Sequence, residues 1–183
     1  TEQDNALVIS TSGNGMSSSS ITLDISGLSA SLIWRYISSA YRAGYDEIAV
    51  TGIGSGKKAL YSAFSYNTLE YLKDGSHSQT SSLDMSPMET VSAVVNRLIG
   101  VEIIDQKPDY CLIKDLSDVS DKEFENTLRR IFILVQTEAD NIREGFAGKT
   151  EGLKSIHIVD TNLDRFEDFC FRVLNKKGYS DFR

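Results

Sequence analysis

From Asp121 onward the apolar residues fall at steps of three and four. Phe124, Leu128, Ile131, Val135 and Ile142 make one such line. Ile156, Val159, Leu163, Phe166, Cys170 and Val173 make a second. A period near 3.6 held over two long stretches fits amphipathic helix and does not fit strand. The segment between them, "GFAGKTEG", is a short glycine-bearing loop, which favours antiparallel neighbours. The sequence therefore predicts a pair of long antiparallel helices over 118–183, with Asp118 or Ser120 as the first cap.

The residues before Asp118 follow another rule. "ALVIS" and "SSITLDI" read as strands, separated by the Gly/Ser-rich "TSGNGMSSSS". In the second, Ile21, Leu23 and Ile25 share one face. Leu28, Leu32, Ile33, Tyr36, Ile37, Ala40 and Tyr41 then recur at helical spacing, with Ser26 or Ser29 as cap and Gly44 as stop. "DEIAVTGI" is the next strand. Ser86, Pro87 and Glu89 make the opening of a helix with a capping box, and Gly100 ends it. "VEIIDQ" and "DYCLIKDL" read as a hairpin across Lys107-Pro108. Two helix-Gly-strand units, "AYRAGYDEIAV" and "NRLIGVEIID", thus point to an α/β (α+β) portion over 1–117, a sandwich of related halves. Between the units, Leu60, Phe64, Leu69 and Leu72 fit a helix, and an extra strand in that span is the alternative.

At 183 residues, 40% hydrophobic and 9% aromatic, the chain has enough apolar material for one large core or two small ones. A net charge of -7 opposes a polyanion, so direct nucleic-acid binding by this chain is not expected. No run approaches the ~18 apolar residues of a membrane span, so membrane insertion is not expected either. Cys111 and Cys170 stand far apart in the sequence and read as buried thiols in a reducing compartment. No secretory leader is legible, and the expected location is cytoplasmic. The chain opens at Thr1 without methionine, which fits a fragment.

Catalytic motifs are not evident. "TGIGSGKKAL" resembles a phosphate loop until its spacing is counted: Thr51 stands where the first glycine belongs, and Lys58 where Ser or Thr should hold magnesium. His77 lies in a Ser-rich stretch, and no Ser or Cys has a nucleophile-elbow context. The carboxylates are more suggestive. Asp160, Asp164 and Glu167 run one residue behind the apolar line of the last helix, rotated by ~100°, and flank its buried seam. His157 falls on the same face one turn earlier, and Glu138 lies in line with the seam of the preceding helix. Carboxylates four residues apart repel unless a cation lies between them, and bundles build magnesium, manganese and iron sites from such pairs. Asp160, Asp164, Glu138 and His157 are the candidate metal ligands. The opposing account is a solvated helix face neutralised by Arg165, Arg143 and Lys154. Arg129 and Arg130 offer a basic patch to an acidic partner.

"AYRAGYDEIAV", "RLIGVEIIDQ", "TLRRIFILVQTEADNI" and "IVDTNLDRFEDFCFRVL" together resemble archaeal PhoU-like phosphate uptake regulators, over most of the chain from about Leu28 to Leu174. "DTNLD" matches the family's acidic motif at Asp160 and Asp164. The resemblance implies a non-enzymatic regulator of phosphate uptake, working through protein contacts such as a transporter or a sensor kinase. It implies a divalent or trivalent cation (Mg, Mn, Fe or Zn) on the acidic helix face. Two amphipathic helices with one shared seam leave apolar surface for the α/β part or a symmetric partner to cover, and a homodimer is the expected form. Three departures stand out. No DNA-binding hairpin is legible in Thr1–Ile25, the span from Gly54 to Met85 reads as an insertion, and two long helices stand where a repeat of the family has three. A second subunit or a missing segment would then complete any multinuclear site. The alternative is the sensor and dimerisation part of a transcription regulator whose DNA-binding domain lies outside this chain. A ligand-binding enzyme or sensor built on the α/β part is a third reading.

Overall fold

The computed structural model describes residues 2–3, 6–7, 19–54, 59–60, 84–117, 121–149 and 151–177. In chain order the elements are β1 (Glu2–Gln3), β2 (Ala6–Leu7), β3 (Ser20–Asp24), α1 (Ala30–Arg42), β4 (Glu47–Thr51), β5 (Ala59–Leu60), β6 (Asp84–Met85), α2 (Pro87–Arg97), β7 (Val101–Lys107), β8 (Tyr110–Asp115), α3 (Asp121–Phe146) and α4 (Ile156–Lys177), with a 3-10 turn at Glu151–Ser155. The content is mixed α and β, as expected. Of the "ALVIS" strand, Ala6–Leu7 is seen, paired antiparallel with β1; its remaining residues lie outside the described ones. So do the expected caps Asp118 and Ser120.

The main sheet has the order β3-β4-β8-β7. β3 and β4 run parallel around α1, while β4–β8 and β8–β7 are antiparallel. Period-2 alternation dictates which residues go inward. The register sets Ile21, Ile48, Ile113 and Ile103 in one row across the four strands, and Leu23, Val50 and Cys111 in the next. Onto this face pack Ile33, Ile37, Ala40 and Tyr41 of α1 and Val91, Val94 and Val95 of α2. Leu32 and Tyr36, counted above with the helix's apolar line, are exposed instead. A register shift between Ile103 and Asp105 breaks the alternation of β7 and leaves Ile104 exposed.

Both helix-Gly-strand units form as the punctuation predicts. Gly44 and Gly100 take φ of 93° and 79°, the left-handed values that let a helix end and the chain turn into a strand. Ser29, of the two candidate caps, is the N-cap of α1. The capping box of α2 is complete: the Ser86 hydroxyl accepts from the Glu89 N–H at 3.2 Å, and the Ser86 N–H donates to the Glu89 carboxylate at 2.7 Å. Ser86→Ala should lower stability by about 1 kcal/mol in chemical denaturation. An unchanged midpoint would show that the Glu89 half of the box suffices.

Leu60, expected to face inward from a helix, lies in β5, which pairs antiparallel with β6. The alternative of an extra strand is the one realised at Ala59–Leu60. Phe64, Leu69, Leu72 and His77 lie outside the described residues. The two long helices pack on each other, and α4 also packs on α1. Of the line expected on α4, Cys170 and Val173 are buried, with Phe169 beside them and Phe124 and Ile131 of α3 against them, while Ile156, Val159, Leu163 and Phe166 are half-buried. On α3 the expected line divides. Phe124 and Ile131 face α4 beside buried Leu134, whereas Leu128, Val135 and Ile142 are exposed. The apolar arc of α3 is wider than one neighbour covers, and three- and four-residue steps do not say which flank is covered.

Candidate functional site

α4 is fastened to the α/β layer by a run of charged residues. Arg172 is 1% exposed. Its guanidinium donates to Asp115 Oδ2 at 2.7 Å and to the Tyr41 carbonyl at 2.9 Å, and lies over the Tyr41 ring. Lys176 reaches Asp115 at 2.9 Å and also pairs with Asp46. Asp168, itself buried, pairs with Arg42, and the Asn175 amide donates to the Arg42 carbonyl at 2.7 Å. Burial would raise the Asp115 carboxyl, but hydrogen bonds from Ser117, Arg172 and Lys176 outweigh it and hold the group well below the usual carboxylate range. Burial wins at Asp168: despite Arg42, its carboxyl is raised. This clamp is structural. Its carboxylates and cations pair with one another, and Arg172 keeps one buried nitrogen, Nε, without a partner among the described residues.

Of the candidate metal ligands, Asp164 stands apart from Asp160 and Glu138. Asp164 turns toward α2, where Arg97 donates to its Oδ2 at 2.7 Å. Asp160 is exposed on α4, and Glu138 of α3 lies close enough to feel its charge. Burial, then Asp160, raises the Glu138 carboxyl above its ordinary value. His157 is in the first turn of α4, with its side chain outside the described residues. Among the described residues no group of three or more His, Cys, Asp or Glu stands close enough to hold a metal ion. Cys111 and Cys170 are free and buried, and burial pushes the Cys111 thiol up to about 11.

A cavity of about 490 Å³ opens between α1, α2, β6 and α4. Its walls include Trp34, Met85, Met88 and Ala93, with Arg97 and Arg165 among them. Arg97 lies over the Trp34 ring at 5.4 Å while it pairs with Asp164, and its side chain is 15% exposed. The Nε of each arginine is buried without a hydrogen-bond partner. Arg165 has no carboxylate partner among the described residues. On sequence alone Arg165 is a neutraliser of the acidic row, and nothing marks Arg97 or Trp34. They are 63 residues apart in the chain (97 minus 34) and meet only because α1 and α2 lie side by side on the sheet.

The outer flank of α3 is the other exposed feature. Leu128, Phe132, Val135, Ala139, Ile142 and Phe146 follow one another at steps of 4, 3, 4, 3 and 4, and all six are exposed. Phe132 and Phe146 are the extremes, at 69% and 91%. Alternating threes and fours give a period of 3.5, the spacing of a coiled-coil seam. Arg129, Gln136 and Arg143 border it on one side, and Ile131, Glu138 and Gly145 on the other. Among the described residues no helix is long and apolar enough to cross a membrane. In comparisons with known proteins, no family model, no curated protein and no solved structure matches the chain.

Proposed function

We propose that this chain is a PhoU-like regulator of phosphate uptake that acts by protein contact, with the outer seam of α3 as its contact surface and a second copy of the chain as the occupant. The single observation behind it is the exposed heptad seam from Leu128 to Phe146, about 27 Å long at 1.5 Å per residue. So continuous an apolar stripe marks an association surface. Pairing two such helices in parallel sets Glu138 of each copy beside Arg143 of the other, the usual position of interhelical ion pairs. That would supply a cation to a half-buried carboxylate which has none among the described residues. Antiparallel pairing would instead oppose Arg129 and Arg143 across the joint, so the parallel form is favoured.

What supports the family reading is the order of contacts in the long helices. The start of α3, at Phe124 and Ile131, lies against the end of α4, while Glu138 lies near Asp160. That order fits an antiparallel pair, such as a PhoU-type hairpin would have. The phosphate role rests on the sequence resemblance. A divalent cation between Glu138 and Asp160 would be the alternative to Arg143 as the partner of Glu138, with further ligands from outside the pair.

Light scattering at rising concentration should give a dimer mass for the wild type. Phe132→Glu should give a monomer with unchanged circular dichroism. Cells carrying only Phe132→Glu should fail to restrain phosphate uptake when phosphate is plentiful. A monomeric wild type would remove the α3 seam as a self-contact, and normal restraint of uptake in the variant would remove the regulatory reading.

A further inference from the structure

We infer that the cavity between α1, α2 and α4 binds an organic anion: a carboxylate or phosphate-ester head carried on an apolar body. The size suits a small molecule, since ligand sites commonly run to several hundred Å³ and this one is about 490 Å³. Its wall chemistry divides into two parts. Trp34, Met85, Met88 and Ala93 give an apolar surface, and methionine side chains adapt to irregular bodies. Arg97 and Arg165 supply the charge.

The arginines decide the sign of the ligand. Arg97 is held from two sides, by the Trp34 ring and by Asp164. Its position is therefore fixed before any ligand arrives, which reduces the ordering cost of binding. Arg165 stands differently. It lines the same cavity, its Nε is buried without an acceptor, and no carboxylate among the described residues pairs with it. That Nε is closed off from water and so from a ligand as well; what an anionic oxygen would answer is the part of the guanidinium that lines the cavity, which has no carboxylate beside it among the described residues. Glu89, the acid in the lining, already accepts the Ser86 N–H in the capping box at the start of α2. Asp164 is engaged by Arg97. Glu89 keeps its charge, but it is exposed at the start of α2 and screened by water, whereas Arg165 is half-buried, so a negative head answers Arg165. The apolar walls then exclude a bare inorganic ion as the best ligand, because they would be desolvated for nothing.

This site is independent of the α3 seam, so either can fail alone. Trp34 is the single tryptophan of the chain and lines the cavity, so its emission reports on this place and no other. The intact chain is titrated with octanoate, phenyl phosphate, octanamide and inorganic phosphate. We expect saturable changes in Trp34 emission with at least one of the two organic anions, and about ten-fold weaker binding of octanamide and of inorganic phosphate. Tighter binding of octanoate assigns a carboxylate head, and tighter binding of phenyl phosphate assigns a phosphate ester. Arg165→Met should weaken the preferred anion about ten-fold while leaving octanamide unchanged, and Arg165→Lys should restore part of the loss. No saturable response to either organic anion up to about 10 mM would overturn the inference. So would equal affinity for octanamide, a preference for inorganic phosphate, or an Arg165→Met chain that binds the anion as the wild type does. Should Arg165→Met not fold, the comparison of anion with amide on the wild type decides.

Discussion

Asp115→Ala will cost the fold about 3–5 kcal/mol, because it strips a buried guanidinium of its carboxylate. Arg172 lies 2.7 Å from Asp115, with side chains 2% and 4% exposed respectively. Water cannot reach in to replace the lost partner. The remaining bond to the Tyr41 carbonyl is to a neutral acceptor. Lys176→Met removes a more exposed cation from the same carboxylate and should cost about 1 kcal/mol or less. Urea denaturation of the three proteins measures both losses. An Asp115→Ala midpoint no lower than that of Lys176→Met would show that the Arg172 contact is not what holds α4 down.

The same carboxylate sets an acid limit. Its folded value lies below the ordinary 3.8. A depressed carboxyl contributes stability that is full above the unfolded value and is lost as pH falls through the folded one. Asp168 works the other way. Burial raises it, so protonating it as pH falls toward 3.8 relieves a cost in the folded state. Loss of α4 docking on acidification should therefore begin only below 3.8, and the Asp115→Ala chain should have less of this acid-dependent step. Circular dichroism against pH tests it, and an identical acid transition in both proteins would assign the step to another group.

Gly52→Ala should cost about 3 kcal/mol, combining left-handed backbone with a steric clash. Gly52 has φ +78°, and a Cβ there would lie 2.2 Å from Ser26 Oγ, 2.6 Å from Asp24 Oδ1 and 2.8 Å from the Ser26 backbone nitrogen. The serine rotamer could give way, but the backbone nitrogen cannot. It donates to Asp24 Oδ1 at 2.9 Å, within a turn that the Ile25 N–H ties to the Thr51 carbonyl at 2.9 Å. Gly27 supplies the control. Its φ is +70°, with nothing within 4 Å of the added carbon. Gly27→Ala should show the backbone term alone, about 1 kcal/mol. If the two variants melt together, the close approach of β4 to the Asp24 turn is not a constraint.

Local rules made much of this protein legible. The capping box at Ser86, the stops at Gly44 and Gly100, and the β7–β8 hairpin depend on residues within a few positions of one another. Their geometry is fixed by short-range sterics and hydrogen bonds, so a sequence displays it directly. The extents of α3 and α4 follow from sustained period, which is also local. Leu60 failed because a two-residue strand has too few positions to show a period.

Partner choice over long distances was a different matter. Sequence offered Asp164 a cation shared with Asp160, while the fold gives it Arg97, 67 residues away. It offered Leu128, Val135 and Ile142 a place in the seam with α4, while the fold leaves them outside. Arg172 could not be read as a buried group at all, since an arginine on a helix is ordinarily solvated. Each outcome depends on which helix lies against which, and that is set by the summed burial of many side chains, with no single one deciding. The sequence by itself determined the larger elements from β3 onward, the capping box of α2 and the glycine stops. Only the tertiary structure decided which charges meet, which apolar flank of α3 remains bare, and that Trp34, Arg97 and Arg165 share one cavity. Hydrogen bonds and period act along the chain, whereas packing acts across it.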